Sequence, residues 1–111
     1  METEDKMKAL YIIANAGHTD DIMDIIRAAG GTGGTIIHAR GEGSHHQSFM
    51  GITLDHEQEI IIIITENSTA GRIISGIDDK AGRGTEVHGI CYMMPVDKAI
   101  GLRPSEPVKD I

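Results

Sequence analysis

The chain has 111 residues, 40% of them hydrophobic, with one Phe, two Tyr and no Trp, so its size supports one core built from aliphatic side chains. A formal charge of −7 disfavours a nucleic-acid backbone as partner, because such binding draws on clustered Lys and Arg. A single cysteine, Cys91, rules out an internal disulfide, and the longest apolar run, Ile60 to Ile64, falls far short of the ~20 residues that span a bilayer.

Met1 to Lys6 is polar and opens with no charged-then-apolar leader, so residues 1–6 are expected to be a flexible start on a cytoplasmic protein. From Lys8 to Ala14 the run Ala9-Leu10-Tyr11-Ile12-Ile13 predicts a central strand, covered on both faces or against a partner. Thr19 can cap a following helix, with Asp20 and Asp21 at its positive end. Ile22, Ile25, Ile26 and Ala29 then recur at helical spacing until Gly30-Gly31, which predicts a helix from about Asp20 to Ala29.

Thr35 to Ala39 reads as a second strand that enters Gly41-Glu42-Gly43 and a polar, turn-like Ser44-His45-His46-Gln47-Ser48. Five consecutive isoleucines within Glu59 to Thr65 predict a third strand, since branching at Cβ suits a pleat better than a helix. Asn67 or Ser68 can cap a second helix with Ile73, Ile74 and Ile77 on its inner face, weakened by Gly71 and Gly76. Lys80 to Thr85 then reads as a loop, Val87 to Met94 as the last strand with Pro95 closing it, and Val96 to Leu102 as a short element packing back.

Strand, helix, strand, strand, helix, strand is the order of an α+β, ferredoxin-like β-α-β-β-α-β sandwich, an antiparallel sheet with two helices on one face. One such domain is expected over 7–103, with 104–111 a flexible tail. Isoleucine-rich strands at a sheet edge invite another copy of the chain, so a homo-oligomer is expected.

Two loops offer ligand chemistry. At Gly41-Glu42-Gly43 the missing side chains let a ligand approach backbone N–H groups, although a hairpin connection would use the same residues. Gly82-Arg83-Gly84-Thr85 sets a cation and a hydroxyl between glycines, a possible phosphate cradle that lacks the P-loop spacing. His38, His45, His46, His56 and His88 show no metal-ligand spacing, so no metal site is expected. Cys91 in an apolar strand reads as an inert thiol, and neither His38 nor His88 has an evident nucleophile to activate, so the chain is not expected to be an enzyme. Adjacent Met93 and Met94 point to opposite strand faces and cannot chelate together.

Met7-Lys8-Ala9-Leu10, then Gly30-x-Thr32-Gly33-Gly34-Thr35-Ile36 and Arg40-Gly41-Glu42-Gly43, resemble the opening of the PII nitrogen-regulatory proteins. The likeness runs from Met7 to about Glu106 and is most specific over Gly31 to Gly43. It implies a homotrimer that binds adenine nucleotides between subunits and signals through a long T-loop docking on a membrane transporter or metabolic enzyme. Ile13, Thr35, Gly41, Glu42 and Gly43 would form one wall of the cleft. A neighbouring subunit's Ile62 to Ile64 strand, with Ile63 at its centre, and its Gly82, Arg83, Gly84 and Thr85 would form the other. Arg103 matches the second arginine of the family's C-terminal R-x-R.

Gly101 replaces the first of those arginines, Ser44 stands where an arginine commonly follows the G-x-G, and the family's G-D-G-K is missing. With fewer cationic phosphate contacts, AMP or ADP is the expected effector rather than Mg-ATP, and no cofactor is held tightly. His45 stands where a glutamine helps bind 2-oxoglutarate, and the shortened 44–58 loop has no tyrosine to be uridylylated. The resulting expectation is a regulatory binding protein that acts through an order–disorder switch of that loop. The alternative is a trimeric metal- or anion-binding protein of CutA-like architecture using loop histidines.

Overall fold

Branching at Cβ decides the centre of the molecule. In the computed structural model, which describes residues 6–41, 47–49, 52–54 and 56–102, the isoleucine run lies inside an eleven-residue strand, β5 (His56–Glu66). It is flanked on both sides by antiparallel partners, β1 (Met7–Asn15) and β2 (Thr35–Gly41). A last strand, β6 (Ile90–Pro95), pairs with the far side of β1, giving the order β2-β5-β1-β6. Helices α1 (Thr19–Ala28) and α2 (Asn67–Lys80) complete an antiparallel ferredoxin-like α+β fold.

Register determines which side chains become core. Leu10 opposes Ile63, Ile12 opposes Ile61 and Ala14 opposes Glu59. These residues share one sheet face, and all are buried with Ile22 and Ile26 of α1 and Ile73 and Ile77 of α2. The other face holds Tyr11, Ile13, Ile60 and Ile62, half-buried, and Ile37, Ile64, Ile90, Tyr92 and Met94, all exposed. Tyr11 and Tyr92 are cross-strand partners there, with parallel rings 5.5 Å apart.

Several local expectations give way to longer-range partners. Thr19 does not cap α1 but is its first residue, and its hydroxyl donates to Glu59 Oε1 on β5. No side chain caps α2 either; it begins at Asn67, whose N–H donates to the Lys6 carbonyl (2.8 Å). The last strand starts at Ile90 rather than Val87, because Val87 turns into the core and His88 has a left-handed backbone (φ 56°) that no strand accommodates. Residues 96–102 form neither helix nor strand. Part of the expected 44–58 loop is regular: β3 (Gln47–Phe49) pairs with β4 (Ile52–Leu54), and residues 56–58 belong to β5. Of the flexible ends expected at 1–6 and 104–111, all but Lys6 lie outside the described residues.

Candidate ligand site at the loop end of the sheet

The two glycine loops reach the same end of the sheet by different routes. Gly41 closes β2 opposite His56, and Asn15 closes β1 opposite Gln58. Beyond β1, the Asn15 N–H donates to the Val87 carbonyl (3.0 Å) and its Nδ2 to the Glu86 carbonyl (3.1 Å), which pins the connection between α2 and β6 to this end.

That connection is closed on itself. Both the N–H and the hydroxyl of Thr85 donate to the Gly82 carbonyl (3.1 and 2.8 Å), and the Thr85 hydroxyl oxygen accepts from the His88 N–H (3.4 Å). The Gly89 N–H donates to the Ala81 carbonyl at 2.7 Å, and a Cβ on Gly89 would lie only 2.7 Å from that oxygen. The Thr85 hydroxyl is thus spent within the loop, whereas Arg83 is exposed and has no hydrogen bond or ion pair among the described residues. Arg83 is the loop's side chain open to an anion.

The other residues expected at the site are spread over three environments. Ile13 is half-buried on the helix-free face between Ile60 and Ile90. Thr35, exposed, begins β2 opposite Ile62, and Gly41 ends that strand. Ile63 is a core residue, 3% exposed, because alternation turns it toward the helices; its neighbours Ile62 and Ile64 occupy the open face. Glu42, Gly43 and Arg103, with His45 and His46, lie outside the described residues. Within one chain β5 and β1 separate Gly41 from the 82–85 loop, so these two parts of the expected walls are not brought together, although Thr35 pairs with Ile62 of the opposite wall.

Glu59 is a polar residue that the sequence pattern left unmarked. It is 8% exposed and accepts from the Gly17 N–H (3.3 Å) and the Thr19 hydroxyl through Oε1. Its Oε2 lies 3.5 Å from Nδ1 of the exposed His38. One carboxylate thereby joins β5 to the start of α1 and to β2 on its way to Gly41. Beside it opens a cavity of about 440 Å3 lined by Ala16, His38, Ala39, Arg40, Glu57 and Gln58. Its signal in the sequence was the inward register it shares with Ile61 and Ile63.

Burial pushes the Cys91 thiol up to about 11, so it stays protonated at neutral pH. Among the described residues no three His, Cys, Asp or Glu side chains converge as a metal site would require. No helix among them is long and apolar enough to cross a membrane.

The description Nitrogen regulatory protein P-II matches residues 7–106. The chain belongs to the P-II family. No curated protein matches it. Among solved structures, this P-II chain is similar to GlnK of B. subtilis in its ATP complex, with a TM-score of 0.69, 16% identity, and coverage of 93% of this chain and 94% of GlnK. It is also similar to CPII of Thiomonas intermedia K12, a PII-like protein solved with ADP, AMP and bicarbonate, with a TM-score of 0.64, 21% identity, and coverage of 86% and 96%. A PII-like signalling protein of Thermus thermophilus gives a TM-score of 0.63 at 23% identity, covering 81% and 85%. At such identities these likenesses speak for the fold, whereas the match over 7–106 carries the family. P-II proteins are regulators rather than enzymes.

Proposed function

We propose that this P-II chain is a cytoplasmic, trimeric regulatory protein. It binds an adenine nucleotide, AMP or ADP, between subunits and controls a transporter or metabolic enzyme through the 44–58 segment. The observation that carries this reading is the division of the expected site: Thr35 and Gly41 belong to one edge of the sheet, the 82–85 loop lies beyond β1, and two strands separate them. A second subunit can supply the missing wall. The helix-free face supports the same assembly, because Ile37, Ile64, Ile90, Tyr92 and Met94 form an apolar surface that association would remove from water.

The choice of ligand follows from charge. CPII was solved with ADP and AMP and GlnK with ATP, so adenine nucleotides are the compounds to test first. Arg83 is the cation that the 82–85 loop offers, and the arginines absent at Ser44 and Gly101 remove two further phosphate contacts. Each charge-assisted bond is worth about 1.5–3 kcal/mol, which favours one or two phosphates over three. Occupancy shifts the 44–58 segment only by the difference in ligand affinity between its two arrangements.

Calorimetric titration with AMP, ADP and ATP tests the proposal. AMP or ADP should bind more tightly than ATP, with one site per subunit of a trimer measured by light scattering. Failure of all three nucleotides to bind would refute it.

A further inference from the structure

At the opposite end of the sheet from the loops, three lysines line one cavity. Lys6, Lys8 and Lys98 line a cavity of about 510 Å3 together with Met7, Val96 and Leu102. The eleven residues of β5 separate this end from Gly41, a distance on the order of 30 Å at the rise of a strand. The cavity is therefore remote from Gly41 and the 82–85 loop, although Leu102 in its lining stands between positions 101 and 103 of the R-x-R segment.

The backbone that presents these lysines is held in place. The Lys6 carbonyl accepts from the Asn67 N–H at the start of α2, and the Met7 carbonyl accepts from the Val96 N–H (3.3 Å). Lys8 sits in the sheet between Thr65 and Pro95. The Val96 bond draws the segment after β6 along the start of β1 and so brings Lys98 to the same cavity as Lys6 and Lys8.

This is an unusual gathering for a chain with only ten Lys and Arg residues and a net charge of −7. Among the described residues none of the three lysine ammonium groups forms a hydrogen bond or an ion pair, and Asp97, which also lines the cavity, pairs with none of them. Like charges around one concavity repel, and the apolar wall limits how far water can screen them. An anion with more than one charge converts that repulsion into attraction.

We propose that this cavity is a second ligand site, taking a small polyvalent oxyanion. Lys8, half-buried, supplies the inner contact, and Lys6 and Lys98, both exposed, close over the anion from the two flanking segments. Lysine suits this role because its compact ammonium engages an oxyanion as a point charge and does not demand the planar geometry of a guanidinium.

Calorimetric titration with pyrophosphate, at low and at physiological ionic strength, tests the site on the full chain. Pyrophosphate should bind more weakly as salt is raised, and the Lys8→Gln/Lys98→Gln variant should lose at least about tenfold in affinity, one lost charge-assisted contact being enough for that. Lys98→Glu, at an exposed position, should lose as much with an unchanged melting temperature, which separates the site from any effect of Lys8 on folding. Arg83→Ala should bind pyrophosphate as the parent does. Citrate in place of pyrophosphate distinguishes the source of the charge: binding with the same lysine dependence identifies a general polyanion site, and no binding narrows it to phosphates. Absence of pyrophosphate binding, affinity unchanged in both lysine variants, or loss in Arg83→Ala would each overturn the proposal.

Discussion

Glu59 shows how much one side chain can hold together. A carboxylate removed from water is costly unless its lone pairs are satisfied, and the Gly17 N–H and the Thr19 hydroxyl satisfy it. Replacing it with alanine leaves both donors unpaired where the chain enters α1. Glu59→Ala should therefore cost about 2 kcal/mol, read as a lower melting temperature in thermal unfolding. Glu59→Gln, which keeps an acceptor, should cost less, and equal losses in the two variants would show that the carboxylate is not acting as this acceptor. Arg83 makes a different kind of contribution, because it is exposed and supports nothing in the fold. Arg83→Ala should leave the melting temperature unchanged and weaken AMP or ADP binding about tenfold or more; unchanged affinity in calorimetry would remove the 82–85 loop from the site. At Cys91 the raised thiol pKa means that thiolate is scarce below about pH 11. Alkylation of the native protein at pH 8 should be much slower than of the urea-unfolded chain, and equal rates would contradict the burial that raises the pKa.

At the level of elements, what could be read from the sequence was what periodicity carries. Ile22 and Ile26 spaced for a helix, and isoleucines at consecutive strand positions, left little choice of conformation, and both helices and all four main strands lie near their expected places. The helix starts differ from local capping chemistry: the Thr19 hydroxyl is taken by Glu59 on β5, and Asn67 lies inside α2 with its backbone N–H on the Lys6 carbonyl, so neither stands at the cap position. No window of neighbouring residues contains those partners. The glycine loops stood out in the sequence as candidate ligand loops, but the constraint within them was hidden. Gly89 sits where a Cβ would press on the Ala81 carbonyl, whereas Gly84 has open space around it and no left-handed φ. Gly89→Ala should break the closure of the loop and lower stability by about 1–3 kcal/mol. Gly84→Ala should be neutral or slightly stabilising through the unfolded chain. Thermal melts of the two variants check the contrast, and an equal cost at both positions would mean that the loop closure does not depend on Gly89.

For the whole molecule the open sheet face raises a question that one chain cannot answer. Two layers normally bury a sheet on one side and leave the other polar, yet here the side away from the helices is as apolar as the core side. The apolar run Ala9 to Ile13, which predicts a strand covered on both faces or against a partner, fits a sheet whose second cover comes from other copies of the chain. Tyr11 and Tyr92, stacked across β1 and β6, give that face a rigid aromatic patch, with Ile90 exposed beside it. Each such side chain is worth about 1.5–3 kcal/mol when buried, so placing charge at two of them should outweigh what holds a small trimer together. Ile90→Lys/Tyr92→Lys should sediment as a monomer at micromolar concentration while keeping its far-ultraviolet circular dichroism, since neither residue belongs to the helix-side core. It should also lose nucleotide binding, because the proposed cleft needs two subunits. A folded monomer that still binds AMP or ADP would place the entire site within one chain and end the intersubunit reading.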